Sequence, residues 1–153
     1  MRGYIHEVTT EINNVGFMDE SDFYSLVGVE ADYFEDAEYE DDKVKDYLES
    51  WEKYGAETGM EEKDDGKEIP WIIFNRNARR NFFKKRFDEM KAVAESITLD
   101  EFSTDKVSTL KSLIIDNYSN AVYFNSCFYA EDDFIRMAEA GRKYYIGHVV
   151  YMG

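Results

Sequence analysis

The chain has 153 residues, 44% hydrophobic and 16% aromatic, with 33 acidic against 18 basic side chains and a formal net charge of −15. The 12 Tyr, 11 Phe and 2 Trp exclude a disordered acidic tail. The charge opposes direct binding to nucleic acid or an anionic membrane and favours a basic protein partner. Cys127 is the single cysteine, so no intramolecular disulfide framework is available. The opening MRGYIHEVTTEI lacks the apolar core of a secretory signal, and no apolar run reaches the ~18 residues of a membrane span. One cytoplasmic domain over residues 1–153 is therefore expected.

In chain order, Tyr4–Ile12 is β-branched and reads as an opening strand. Asn13, Asn14 and Gly16 mark a turn, and Asp19 is a plausible N-cap for a short helix through Leu26. Glu30–Asp42, EADYFEDAEYEDD, then places eight carboxylates in thirteen residues with no base among them. As a helix it would extend ~20 Å, one carboxylate per ~2.5 Å. B-DNA carries one charge per ~1.7 Å counting both strands, or ~3.4 Å per strand. Asp41 or Asp42 is placed to cap the next helix, where Val44, Tyr47, Leu48 and Trp51 form one apolar stripe and Gly55 is the stop.

Gly55–Glu68 shows no periodicity and three glycines, so it reads as a solvated acidic loop. Its DDGKE portion shares part of a calcium-loop pattern but lacks the alternating acids and the terminal Glu. No metal or other cofactor is expected. Ile69–Phe74 reads as a buried strand with Pro70 near its start. Arg76–Ile97 is the longest helix signal, capped by Asn75 or Asn77, with Phe83, Phe87, Met90, Ala94 and Ile97 as its core stripe. Thr98–Glu101 matches a capping box, opening either a short turn or a helix from Ser103 with Val107, Leu110, Ile114 and Tyr118 on one face. Asn120–Tyr129 reads as one strand, Glu131–Ala140 as a short helix closed by Gly141, and Lys143–Met152 as a final strand. The expected fold is α+β, with a small, mainly antiparallel sheet of about four strands and four or five helices.

Charge segregation is the strongest functional signal. Residues 19–68 hold 20 acids and 5 bases, whereas residues 69–91 hold 7 bases and 2 acids, so the basic helix is positioned to cover part of the acidic block. It cannot neutralise all of it. The leading reading is a binding or inhibitor protein whose acidic segment occupies a positively charged, nucleic-acid-binding site on a partner, as DNA mimics and phage anti-defence proteins do. The residues assigned to that contact are Asp32, Glu35, Asp36, Glu38, Glu40, Asp41, Asp42, Asp46 and Glu49. An immunity protein or antitoxin plugging a basic toxin shares the same physics.

Catalysis has weaker support, and the chain is read as a non-enzyme. Cys127 lies in an apolar run that suggests a buried small hydrophobe. His6 and His148 fall in strands, and no two His or Cys residues stand at ligand spacing. A small enzyme using carboxylates or Cys127 remains an alternative, as does an assembly protein using the Tyr-rich last strand as a pairing edge. The sequence does not specify oligomeric state.

Overall fold

A computed structural model describes residues 3–16, 18, 21–23, 33–104, 107–108, 110 and 120–153. Its elements in chain order are β1 (Gly3–Thr9), β2 (Phe34–Asp36), α1 (Glu40–Tyr54), β3 (Glu57–Glu62), β4 (Glu68–Ile73), α2 (Arg76–Ser96), α3 (Leu99–Phe102), β5 (Asn120–Phe124), β6 (Cys127–Ala130), α4 (Glu131–Met137) and β7 (Lys143–Met152). The α+β class holds, but the sheet has seven strands rather than about four and is mixed. Strand order is β3-β4-β7-β1-β5-β6, with β2 also paired to β7 and with β1 parallel to β5. The expected helix from Asp19 to Leu26 and the face through Ile114 and Tyr118 lie largely outside the described residues.

β7 organises the sheet because six of its ten residues are β-branched or tyrosine and it can be buried on both faces. β1 pairs along one edge. The other edge is shared in series: β4 pairs with Lys143–Tyr145 and β2 with Val150–Met152. The last strand is thus interior, which removes it as a free edge for self-association. Between the two pairings, residues 146–148 have no paired strand on this edge among the described residues, although β1 continues along the other. The sheet is forked there.

One face of the sheet is covered by helices. Trp51 and Tyr47 of α1, Ala78 and Phe82 of α2, and Phe134 and Ile135 of α4 pack on Val8, Ile72, Val122 and Ile146. Trp51 is the hub, with its ring stacked on Phe82 at 5.0 Å and meeting Phe74 edge-on at 4.7 Å. The opposite face is covered by Val15, Met18 and Phe23, which meet Ile5, Phe34, Ile69, Tyr145 and Met152.

Several local expectations need correction. The acidic stretch, whose conformation its sequence leaves ambiguous, is not one helix over the described residues 33–42: Phe34–Asp36 gains ladder bonds to β7 and Tyr39 turns left-handed (φ 57°) before α1 starts at Glu40. Asp41 and Asp42 stand in the first turn, where carboxylates favour the helix dipole, rather than at the cap. Gly55–Glu68 is not a loop but mostly a polar outer strand with a tight turn onto β4. Asn120–Tyr129 folds back on itself at Asn125 and Ser126, whose φ values of 50° and 62° are those of a hairpin turn.

The helix assignments fare better. α1 ends at Gly55 (φ 100°), and Asn75 caps α2 by accepting the Ala78 N–H at 2.9 Å. Thr98 likewise accepts from Glu101 N–H, opening the short α3. The expected α2 stripe needs correction: Ala78 and Phe82, which lie outside it, are the buried residues, and of its members only Phe83 packs on that core. Phe83 packs beside Phe82, but Phe87 is 54% exposed.

Candidate functional site

The fork in the sheet opens into a cleft of about 870 Å³. α1 forms one wall from the helical face, and Val15, Gly16 and Met18 form another from the opposite face. The β3–β4 hairpin, through Met60 and Lys67–Pro70, flanks it, and Ile146–His148 of β7 lie at its base. The cleft follows from the topology, since a missing strand segment leaves room that neither face fills.

Two devices hold this geometry, one buried and one partly exposed. The first is Glu7, at a bulge where the β1–β7 register shifts between His6 and Val8. Its buried carboxylate accepts the N–H groups of Gly16 at 2.8 Å, Met18 at 2.8 Å and His148 at 3.0 Å. This ties the loop wall to the base of the cleft. Gly147 is required beneath it, because any Cβ there would overlap Glu7 Oε1. The hairpin is also tied in: Lys63 donates its ammonium to the Val15 carbonyl at 2.9 Å.

The second device is His148. Its Nε2 lies 2.7 Å from Asp36 Oδ1 on β2, and its Nδ1 lies 2.9 Å from Glu40 Oε2 on α1. Burial pushes the His148 pKa down, but bonding to and charge from both carboxylates outweigh it, and the net shift is upward from 6.5. With an acceptor at each ring nitrogen, the doubly protonated imidazolium is the matching form. Two of the nine assigned carboxylates therefore clasp β2 and α1 to the sheet.

The other assigned residues divide by position. Asp41 and Glu49 line the cleft, and Lys45 stands 4.0 Å from Glu49 in an exposed pair. Glu35, Glu38, Asp42 and Asp46 are exposed on the surface formed by β2, the following turn and α1. Asp32 lies outside the described residues. Glu52 and Glu68, which also line the cleft, were not among the assigned residues. Glu52 falls three residues after Glu49 on the same helix, a spacing that could have flagged it.

The basic helix does not cover this surface. Lys84 pairs with Asp88 at 2.6 Å, Arg86 with Asp132 at 2.5 Å, and Arg79 donates to the carbonyls of Ala138 and Arg136 at 3.1 Å each. Among the described residues, Glu35, Glu38, Asp41, Asp42 and Asp46 form no ion pair.

The conventional catalytic candidates are scattered among different environments. Cys127 is exposed at the start of β6 rather than buried, because the strand expected around it is broken by the hairpin turn. His6 is buried and stacked on Tyr47 at 3.9 Å, with Nε2 3.1 Å from Asn120 Oδ1. Burial lowers its pKa to about 4, so it is neutral at pH 7. No group of three or more His, Cys, Asp or Glu side chains among the described residues is arranged to hold a metal ion. No helix among them is long and apolar enough to cross a membrane. Compared with protein-family models, curated proteins and solved structures, the chain matches none.

Proposed function

We propose that this chain is a binding protein that presents an acidic surface to a basic, nucleic-acid-binding site on a partner protein and thereby blocks it. The observation that carries this reading is the exposed group Glu35, Glu38, Asp41, Asp42 and Asp46, which lacks ion pairs while Arg79, Lys84 and Arg86 of α2 are engaged elsewhere. Adjacent unpaired carboxylates repel one another, and a cationic partner relieves that repulsion. Tyr39, 71% exposed within the same surface, adds an aromatic face for cation–π contact with partner Arg or Lys.

The clasp at His148 gives the surface rigidity, since β2 and the start of α1 are both fixed to β7 through it. A preformed surface loses less entropy on association than a flexible acidic tail does. Anti-defence inhibition by mimicry of a nucleic-acid backbone is the form of this activity that the clustered exposed carboxylates of β2, the following turn and α1 favour.

The test begins with capture of partners at low and high salt, followed by affinity measurement on the purified partner. Reversing Glu35, Glu38, Asp42 and Asp46 to lysine should weaken binding by at least about a hundredfold and flatten its salt dependence. Unchanged affinity and salt slope would remove the proposal.

A further inference from the structure

The cleft combines an apolar interior with a charged rim of one dominant sign. Val44, Leu48 and Pro70 are half-buried within it, and Met60 is 55% exposed at its edge. The rim carries Asp41, Glu49 and Glu52 along α1, with Glu68 on β4 opposite, against only Lys45 and Lys67. Its volume is in the range of ~300–1,000 Å³ typical of ligand sites. A wholly apolar ligand would leave the rim carboxylates uncompensated, and a simple inorganic cation would leave the apolar wall bare.

The dimensions narrow the occupant further. From Asp41 to Glu52, α1 rises ~16 Å, close to the ~17 Å span of five extended residues. An extended segment also suits the fork, because it would run past residues 146–148 of β7 on the edge where, among the described residues, no strand pairs with them. Alternating side chains in such a segment point to opposite sides. One set meets Val44, Leu48 and Met60, while the other reaches the rim.

From this we infer that the cleft receives an extended segment of the basic partner in which apolar residues alternate with Arg or Lys. The inference rests on the proposed acidic-surface function but assigns an adjoining part of the molecule, which shares Asp41 with that surface. The outer carboxylates attract the partner at long range, whereas the cleft selects a sequence. Arginine suits the rim better than lysine, since its planar fork can engage two neighbouring carboxylates.

The probe is a dye-labelled pentapeptide alternating leucine and arginine, compared by fluorescence anisotropy with one in which serine replaces leucine. Both carry the same charge. The leucine peptide should bind about tenfold or more tightly, the gain expected from burying its apolar side chains. Reversal of Asp41, Glu49 and Glu52 to lysine should abolish that preference. Reversal of Glu38, Asp42 and Asp46, an equal change in net charge, should preserve it while weakening both peptides. Met60→Ser, at an exposed position not needed for folding, should weaken only the leucine peptide, which guards against misfolding of the triple variants. Equal binding of the two peptides, with both triple variants weakened alike, would overturn the cleft assignment and leave the surface function standing. Failure of both peptides to bind at low salt would overturn both.

Discussion

Replacing Gly147 by alanine tests how the base of the cleft is built. A Cβ at that position would overlap Glu7 Oε1 and lie 2.8 Å from Val15 Cγ1. Glu7 cannot move without loss, because its buried carboxylate accepts three backbone N–H groups, from Gly16, Met18 and His148. Bonds to a charged acceptor contribute about 1.5–3 kcal/mol each, so losing one or two sets the cost of Gly147→Ala at about 3 kcal/mol. For a chain of this size that corresponds to a fall in Tm of about 6–12 °C. Urea unfolding followed by tryptophan fluorescence measures it. The control is the same substitution in a Glu7→Ala background. That background is itself destabilised, but the space is now open, and Gly147→Ala should cost no more than about 1 kcal/mol there, the residue of the Val15 contact. A cost below about 0.5 kcal/mol in the native background, or an equal cost in both, refutes the reasoning.

The two histidines should give opposite pH signatures. The His148 pKa is raised in the folded protein, so its clasp contributes fully below the unfolded value near 6.5 and the contribution is lost as pH rises through the folded value. His148→Gln should therefore destabilise more at about pH 5.5 than at about pH 8.5 in urea titrations, and equal destabilisation would contradict the clasp. The His6 pKa is depressed to about 4, so wild type should lose up to about 3 kcal/mol relative to His6→Gln as pH falls from about 6.5 to about 4. Trp51→Ala, which empties a site 1% exposed and ringed by Phe74 and Phe82, should cost about 3–5 kcal/mol, whereas Phe87→Ala should stay within about 0.5 kcal/mol. Similar costs for the two would show that Phe87 is packed in solution.

Elements with a strong local pattern were legible in the sequence. The stripe Val44–Trp51 with its stop at Gly55, the Asn75 cap, the Thr98 box and the β-branched run Lys143–Met152 all declare themselves within a dozen residues. β3 did not, because ETGMEE is a polar outer strand whose only sheet partner among the described residues is the β4 run EIPWII. Its Gly59 reads as a loop residue but serves close approach, since a Cβ there would overlap the Trp71 ring. The β5–β6 hairpin was hidden because Asn125-Ser126 lacks the glycine that usually marks such a turn. The acidic stretch was legible as charge but not as shape. Asp36 and His148 are 112 positions apart and become partners only through β2–β7 pairing, which three residues of sequence cannot announce. Glu7 was likewise invisible, an ordinary strand acid until Gly147 and the 16–18 backbone close around it.

The central place of β7 also bears on how the chain acquires its structure. β1, β2 and β4 are all made early, yet each takes a neighbour at residues 143–152, and only β4 has an earlier local partner, in β3. Closing β1 onto β7 spans well over a hundred residues, and loop closure on that scale slows folding relative to chains dominated by local pairing. During synthesis, Ile5, Phe34 and Ile72 would face solvent until the last of these strands has cleared the ribosome. The helices have local patterns and can form before then, but the acidic cleft cannot, because both of its walls hang on a strand that arrives last. The nascent chain would thus carry its full negative charge well before it carries its binding geometry, and self-repulsion in that interval opposes premature aggregation of the waiting strands.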